Sequence, residues 1–103
     1  MDIEDFKKRL KKYSKEDIII TKHADMQAFS RRIDLEEVKR NILNPERLVY
    51  CSKQETEITD EEKYECFFDI QKNLYHKYVI ILNRKIIIVT IIKINRDWQK
   101  LIG

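Results

Sequence analysis

His23, Gln27 and Arg31 recur at i, i+4 and i+8 within Thr21–Ile33, so on a helix all three project from one side. A histidine in the first turn of such a helix lies where unpaired amide N–H groups and the helix dipole favour an anion. An imidazole there can move a proton to or from a reacting oxygen. Two turns on, the planar fork of Arg31 suits a phosphate. The same spacing also describes an ordinary exposed helix face with a histidine packed at its start, because polar residues at helical intervals are common.

A second group gathers late in the chain: Thr90, Lys93, Asn95, Arg96, Asp97 and Trp98. Lys93 interrupts a run of isoleucines and Arg96 follows just beyond it. Basic groups at a sheet edge beside an aromatic suit a nucleic-acid backbone and a stacked base. They equally suit a strand end whose Trp98 covers the core. His76 stands beside Tyr75 and Tyr78 at the start of an apolar run. With His23, Cys51 and Cys66 it shows none of the local spacings of a zinc site, so no metal and no cofactor is expected. The two cysteines flank an acidic stretch about symmetrically and can face each other across two strands.

The elements that must position these groups follow from periodicity. Ile3, Phe6, Leu10 and Tyr13 predict an amphipathic helix over residues 2–13. Ile18, Ile19 and Ile20 form a β-branched run too short for a helix and suited to a buried strand. Thr21 can cap a helix over 22–31 whose Met26 and Phe29 are expected to face the core. Asp34 and Glu37 resemble a capping box opening a helix over 34–43, with Leu35, Val38 and Ile42 inward and Asn44-Pro45 as its stop. Four strands are expected after Pro45: Arg47–Cys51, Lys63–Ile70, Tyr75–Leu82 and Ile86–Ile94. Gln54–Glu62 reads as a polar hairpin tip. The last two runs are apolar throughout, which implies central strands covered on both faces. The order is α-β-α-α-β-β-β-β, an α+β domain with a mainly antiparallel sheet of four to five strands and helices on one face.

Composition narrows the possible functions. The 103 residues make one domain, large enough for an ordinary core without staples. One glycine and one proline exclude a phosphate-binding loop or a dinucleotide fingerprint, both of which need several glycines. The charged opening lacks the apolar stretch of a signal peptide, so an intracellular, cytoplasmic protein is expected, with no membrane partner. Net charge is +3, unevenly spread: residues 53–65 carry six acids against two lysines, while residues 66–103 carry seven Lys/Arg against two acids. Basic ends around an acidic middle suit a polyanion partner or a solvated surface equally well.

The stretch from residue 18 to 94 resembles a widespread family of small prokaryotic domains grouped with RelE-like toxins and barnase/colicin-type ribonucleases. The matching elements are His23-Ala24, Arg31, Ile33, Asn44-Pro45 and Val89-Thr90, in that order; residues 1–15 form an additional helix. Two positions depart from the family pattern: Gln27 stands where its first helical arginine lies, and Arg32 where a glycine follows the second. The resemblance implies a RelE/barnase-like fold and metal-independent RNA cleavage, by attack of the ribose 2′-OH on the adjacent phosphate. It assigns His23 as acid or base, Arg31 as phosphate clamp and Thr90 as a hydrogen-bonding aid. Arg32, Lys93 and Arg96 would follow the RNA backbone. RNA and a small acidic antitoxin are the implied partners. A non-catalytic RNA- or protein-binding module on the same fold is the alternative, since related folds serve both ends.

Overall fold

Asp2 starts the first helix, its carboxylate accepting from Glu4 N at 2.9 Å, and α1 (Ile3–Leu10) buries Phe6 and Leu10. Beyond Leu10 the chain tightens into turns, with Lys12 N and Tyr13 N bonding three residues back, so the helix is shorter than residues 2–13. A computed structural model describes residues 2–56 and 61–95. Within it the chain continues through β1 (Ile18–Ile20), α2 (Lys22–Ser30), α3 (Leu35–Leu43), β2 (Leu48–Gln54), β3 (Glu62–Gln71), β4 (Leu74–Leu82) and β5 (Ile86–Ile94). The order of helices and strands is the one the periodicity predicts.

The five strands form one sheet in the order β1-β5-β4-β3-β2. β2 to β5 pair antiparallel in succession, whereas Ile18, Ile19 and Ile20 of β1 lie parallel to Ile86, Ile87 and Ile88. The sheet is therefore mixed, in place of the mainly antiparallel sheet expected. The chain leaves β1 directly into a helix, so β1 has no hairpin partner. It joins the far end of the sequence through the long connection that a parallel pair requires.

All three helices cover one sheet face. That face presents Tyr64, Cys66 and Phe68 of β3, Tyr78, Ile80 and Leu82 of β4, and Ile86, Ile88 and Ile91 of β5. Val38 and Ile42 of α3 pack into the same cluster. The expectation of cover on both faces is not met within the described residues: none of their elements lies over the second face, and Ile19 there stays about half exposed. Phe67 and Ile94 are nevertheless buried on that side.

α2 corrects a second expectation. Its inward residues are Ala24 and Ala28, both fully buried, while Met26 is 62% and Phe29 87% exposed. Small side chains let the helix approach β5 closely, and Met and Phe at that interface would hold it away. Thr21 caps the helix as expected, accepting from Ala24 N at 3.2 Å.

The helix closes with Ile33 N donating to Ala28 O at 2.8 Å and Arg32 N to Phe29 O at 3.2 Å, a Schellman arrangement. Arg32 therefore occupies the left-handed position, at φ 57°. A Cβ costs roughly 1–2 kcal/mol there. Arg32→Gly should consequently stabilise the fold by about 0.5–1 kcal/mol after glycine's greater chain entropy is subtracted. Urea unfolding checks this, and an unchanged or lower midpoint would refute the strain at Arg32.

Candidate functional site

α2 runs alongside β5 in the same direction. Thr21 N donates to Ile88 O at 3.1 Å, continuing the β1 ladder. Further on, Gln27 Oε1 accepts from Ile91 N at 2.9 Å. The side chain thus replaces a strand where three-residue β1 has ended, and answers a backbone donor on the open side of β5. This is a structural use of the polar helix face that spacing alone does not reveal. Gln27→Leu should leave that N–H unpaired and cost about 1–3 kcal/mol. Faster hydrogen exchange at the Ile91 amide would show the loss, and unchanged exchange would refute the role.

The sequence-selected residues fall in several places. His23 is exposed in the first turn of α2. Arg31 is half-buried at the C-cap, its Nη1 donating to Gln27 O at a long 3.4 Å. The two lie on one side of the helix but about 12 Å apart along its axis. Arg32 is exposed just past the helix end. Arg96 and Trp98 lie outside the described residues.

A β-bulge decides where Thr90 and Lys93 point. Val79 pairs with Thr90 but Ile80 with Ile88, so Val89 is an extra residue in β5. Strict alternation from Ile86 and Ile88 would put Thr90 beneath the helices. The added residue reverses the parity and turns Ile91 and Lys93 to that face instead. Thr90, paired with Val79, projects from the opposite face, so the sheet separates it from the helix-bearing side. Lys93, paired with His76, lies on the helix side. Because α2 follows β5, Arg31 lies towards the Lys93 end and His23 towards the Ile88 end.

The groups the fold does assemble are others. Among the described residues, Asn41 and His76 are the buried polar ones, at 4% and 2% exposure. Asn41 Nδ2 donates to Tyr78 Oη at 3.0 Å, and Tyr78 Oη lies 2.7 Å from His76 Nδ1. The hydroxyl accepts from the amide, and which of Tyr78 Oη and His76 Nδ1 donates to the other is set by the imidazole tautomer. When the hydroxyl donates, the ring is the Nε2–H tautomer. Burial pulls the His76 pKa below its usual value; Glu37 opposes that shift, while Lys93 and Arg47 reinforce it. Burial also raises the Tyr78 hydroxyl well above its ordinary value. Glu37 is half-buried, with Oε2 3.7 Å from Arg47 Nη1. A sequence signal for this cluster exists only in retrospect: His76 and Tyr78 alternate on β4, and Asn41 is a polar residue within the apolar stripe of α3.

Elsewhere, Arg9 grips Glu62 through both guanidinium ends, at 3.0 and 2.6 Å, and reaches Tyr64 Oη at 3.2 Å. This pairing ties α1 to β3. Arg9 and then Tyr64 hold the Glu62 carboxyl down at about 2. Cys51 and Cys66 are cross-strand neighbours, and neither is in a disulfide. Burial pushes both upward, away from reactive thiolate. No group of three or more potential metal ligands occurs among the described residues, and no helix among them is long and apolar enough to cross a membrane.

Comparison with family models, curated proteins and solved structures finds no match to this chain.

Proposed function

We propose that the chain is a toxin-like, metal-independent endoribonuclease of the RelE/barnase-like kind, in which the ribose 2′-OH attacks the adjacent phosphate. The observation that carries this reading is the exposed His23 imidazole in the first turn of α2, with Arg31 on the same side of that helix. His23 takes or returns the proton, and Arg31 steadies the phosphate. Lys93 and the exposed Arg32 offer charge to the backbone, together with Arg96 in the terminal segment. The order of His23-Ala24, Arg31, Ile33, Asn44-Pro45 and Val89-Thr90 supports the family reading. A small acidic antitoxin is the protein partner that such a toxin would have.

A specific observation favours the second reading, a non-catalytic RNA- or protein-binding module. The bulge at Val89 sends Thr90 to the face opposite α2, so His23, Arg31 and Thr90 do not form one cluster. Incubation with total RNA in EDTA separates the two readings. An endoribonuclease shortens the RNA without metal. A binding module leaves it intact and retains it with an affinity that falls as salt rises.

A further inference from the structure

His76 is 98% shielded from solvent by the chain, yet only half of its hydrogen-bonding capacity is used inside. Its Nδ1 meets Tyr78, and no described residue meets Nε2. No fully buried side-chain nitrogen or oxygen lacks a partner among the described residues, so the unpartnered Nε2 keeps some contact with solvent. Where Tyr78 Oη donates to Nδ1, Nε2 carries the ring proton and is a donor.

The charges around this donor are mostly positive. Lys93 is its cross-strand neighbour on the same sheet face, and Arg47 acts on it from the turn before β2. Glu37 is the nearby carboxylate, with Arg47 as its counter-charge. Lys93 forms no ion pair among the described residues. An N–H donor, an ammonium with no ion pair among the described residues, and a guanidinium are groups that bind phosphate oxygens.

We propose that His76 Nε2–H, Lys93 and Arg47 form a phosphate-binding subsite on the helix-bearing face of the sheet, with Asn41 and Tyr78 as positioning residues. The neutral ring acts as a donor that needs no proton uptake, and burial with two neighbouring cations keeps it neutral. RNA is the source of that phosphate if the RNA-directed reading above holds, and free inorganic phosphate is the other source. The same face carries Arg31 one helical turn beyond Gln27, so a strand bound here continues towards α2.

Long-range proton–nitrogen NMR of the imidazoles, with inorganic phosphate and a uridine pentanucleotide added in turn, tests the subsite. The expected result is the Nε2–H tautomer in the free protein and a shift of the His76 signals with both ligands. Lys93→Gln should weaken pentanucleotide binding about tenfold through loss of a charge-assisted contact. Glu37→Gln should strengthen binding about twofold to threefold by removing the neighbouring negative charge. Neither variant empties the core, so both keep the fold. A shift with phosphate alone supports the subsite, assigns free phosphate as its ligand and removes the RNA reading. RNA binding that leaves His76 signals and the Lys93→Gln affinity unchanged overturns the subsite and leaves the RNA reading standing. An Nδ1–H tautomer overturns it as well.

Discussion

His23→Ala is expected to slow RNA cleavage by roughly 10²–10⁴, the usual worth of one positioned acid or base. The expectation follows from location. His23 is exposed, belongs to no part of the core, and stands in the first turn of a helix capped by Thr21. Its removal should leave circular dichroism and melting temperature unchanged, so a loss of rate would report chemistry and not folding. Arg31→Ala should lower the rate too, with a small stability cost because its bond to Gln27 O is long. Arg31→Lys should restore little, since an ammonium lacks the two-pronged fork. EDTA should have no effect. Cleavage that persists in His23→Ala at the wild-type rate would remove His23 from the chemistry, and cleavage that EDTA abolishes would overturn the metal-independent mechanism.

The placement of these residues shows what the sequence can convey. Elements were legible because they rest on local patterns: Thr21 and Asp34 cap α2 and α3, Asn44-Pro45 stops α3, and β5 has the predicted bounds. Orientation was not legible for α2. Met26 and Phe29 are its largest apolar residues, yet close approach to β5 selects Ala24 and Ala28 for the interface. The parallel pairing of β1 was hidden because it joins residues 18–20 to 86–88, and no local pattern encodes so distant a contact. The bulge was hidden for a related reason. Every residue of Ile86–Ile92 other than Thr90 is a β-branched aliphatic, so hydrophobicity carries no parity and one added residue leaves no trace. His23 and Arg31 could be selected from spacing, whereas the Asn41–Tyr78–His76 relay joins α3 to β4 and needed the tertiary fold.

Tyr78→Phe is expected to destabilise the domain by about 3 kcal/mol, because it strands two buried groups that each cost roughly 1–3 kcal/mol when unpaired. Asn41 Nδ2 loses its acceptor and His76 Nδ1 its partner, while the ring keeps its packing against Phe68 at 4.8 Å between centroids. At about 4–8 °C per kcal/mol for a domain near this size, the melting temperature should fall by roughly 12–24 °C. Tyr64→Phe serves as the contrast, since its part-buried hydroxyl meets Glu62 and Arg9, which still pair with each other without it, and its loss should cost under about 1 kcal/mol. The same relay predicts the pH response. The His76 pKa is lower in the folded chain than its ordinary value of 6.5, so the unfolded chain takes up the proton first. Stability from this group is complete above 6.5 and declines as pH falls through that value towards the lower folded one. Glu62 acts in a separate window, between its ordinary 4.5 and about 2, where protonation loosens its pairing with Arg9. Urea midpoints at pH 7.5, 6.5 and 5.5 therefore isolate His76. The wild type should lose stability across that series, and His76→Phe should lose less. Equal slopes in the two proteins, or a Tyr78→Phe midpoint no lower than that of Tyr64→Phe, would mean that the relay does not hold the buried imidazole in place.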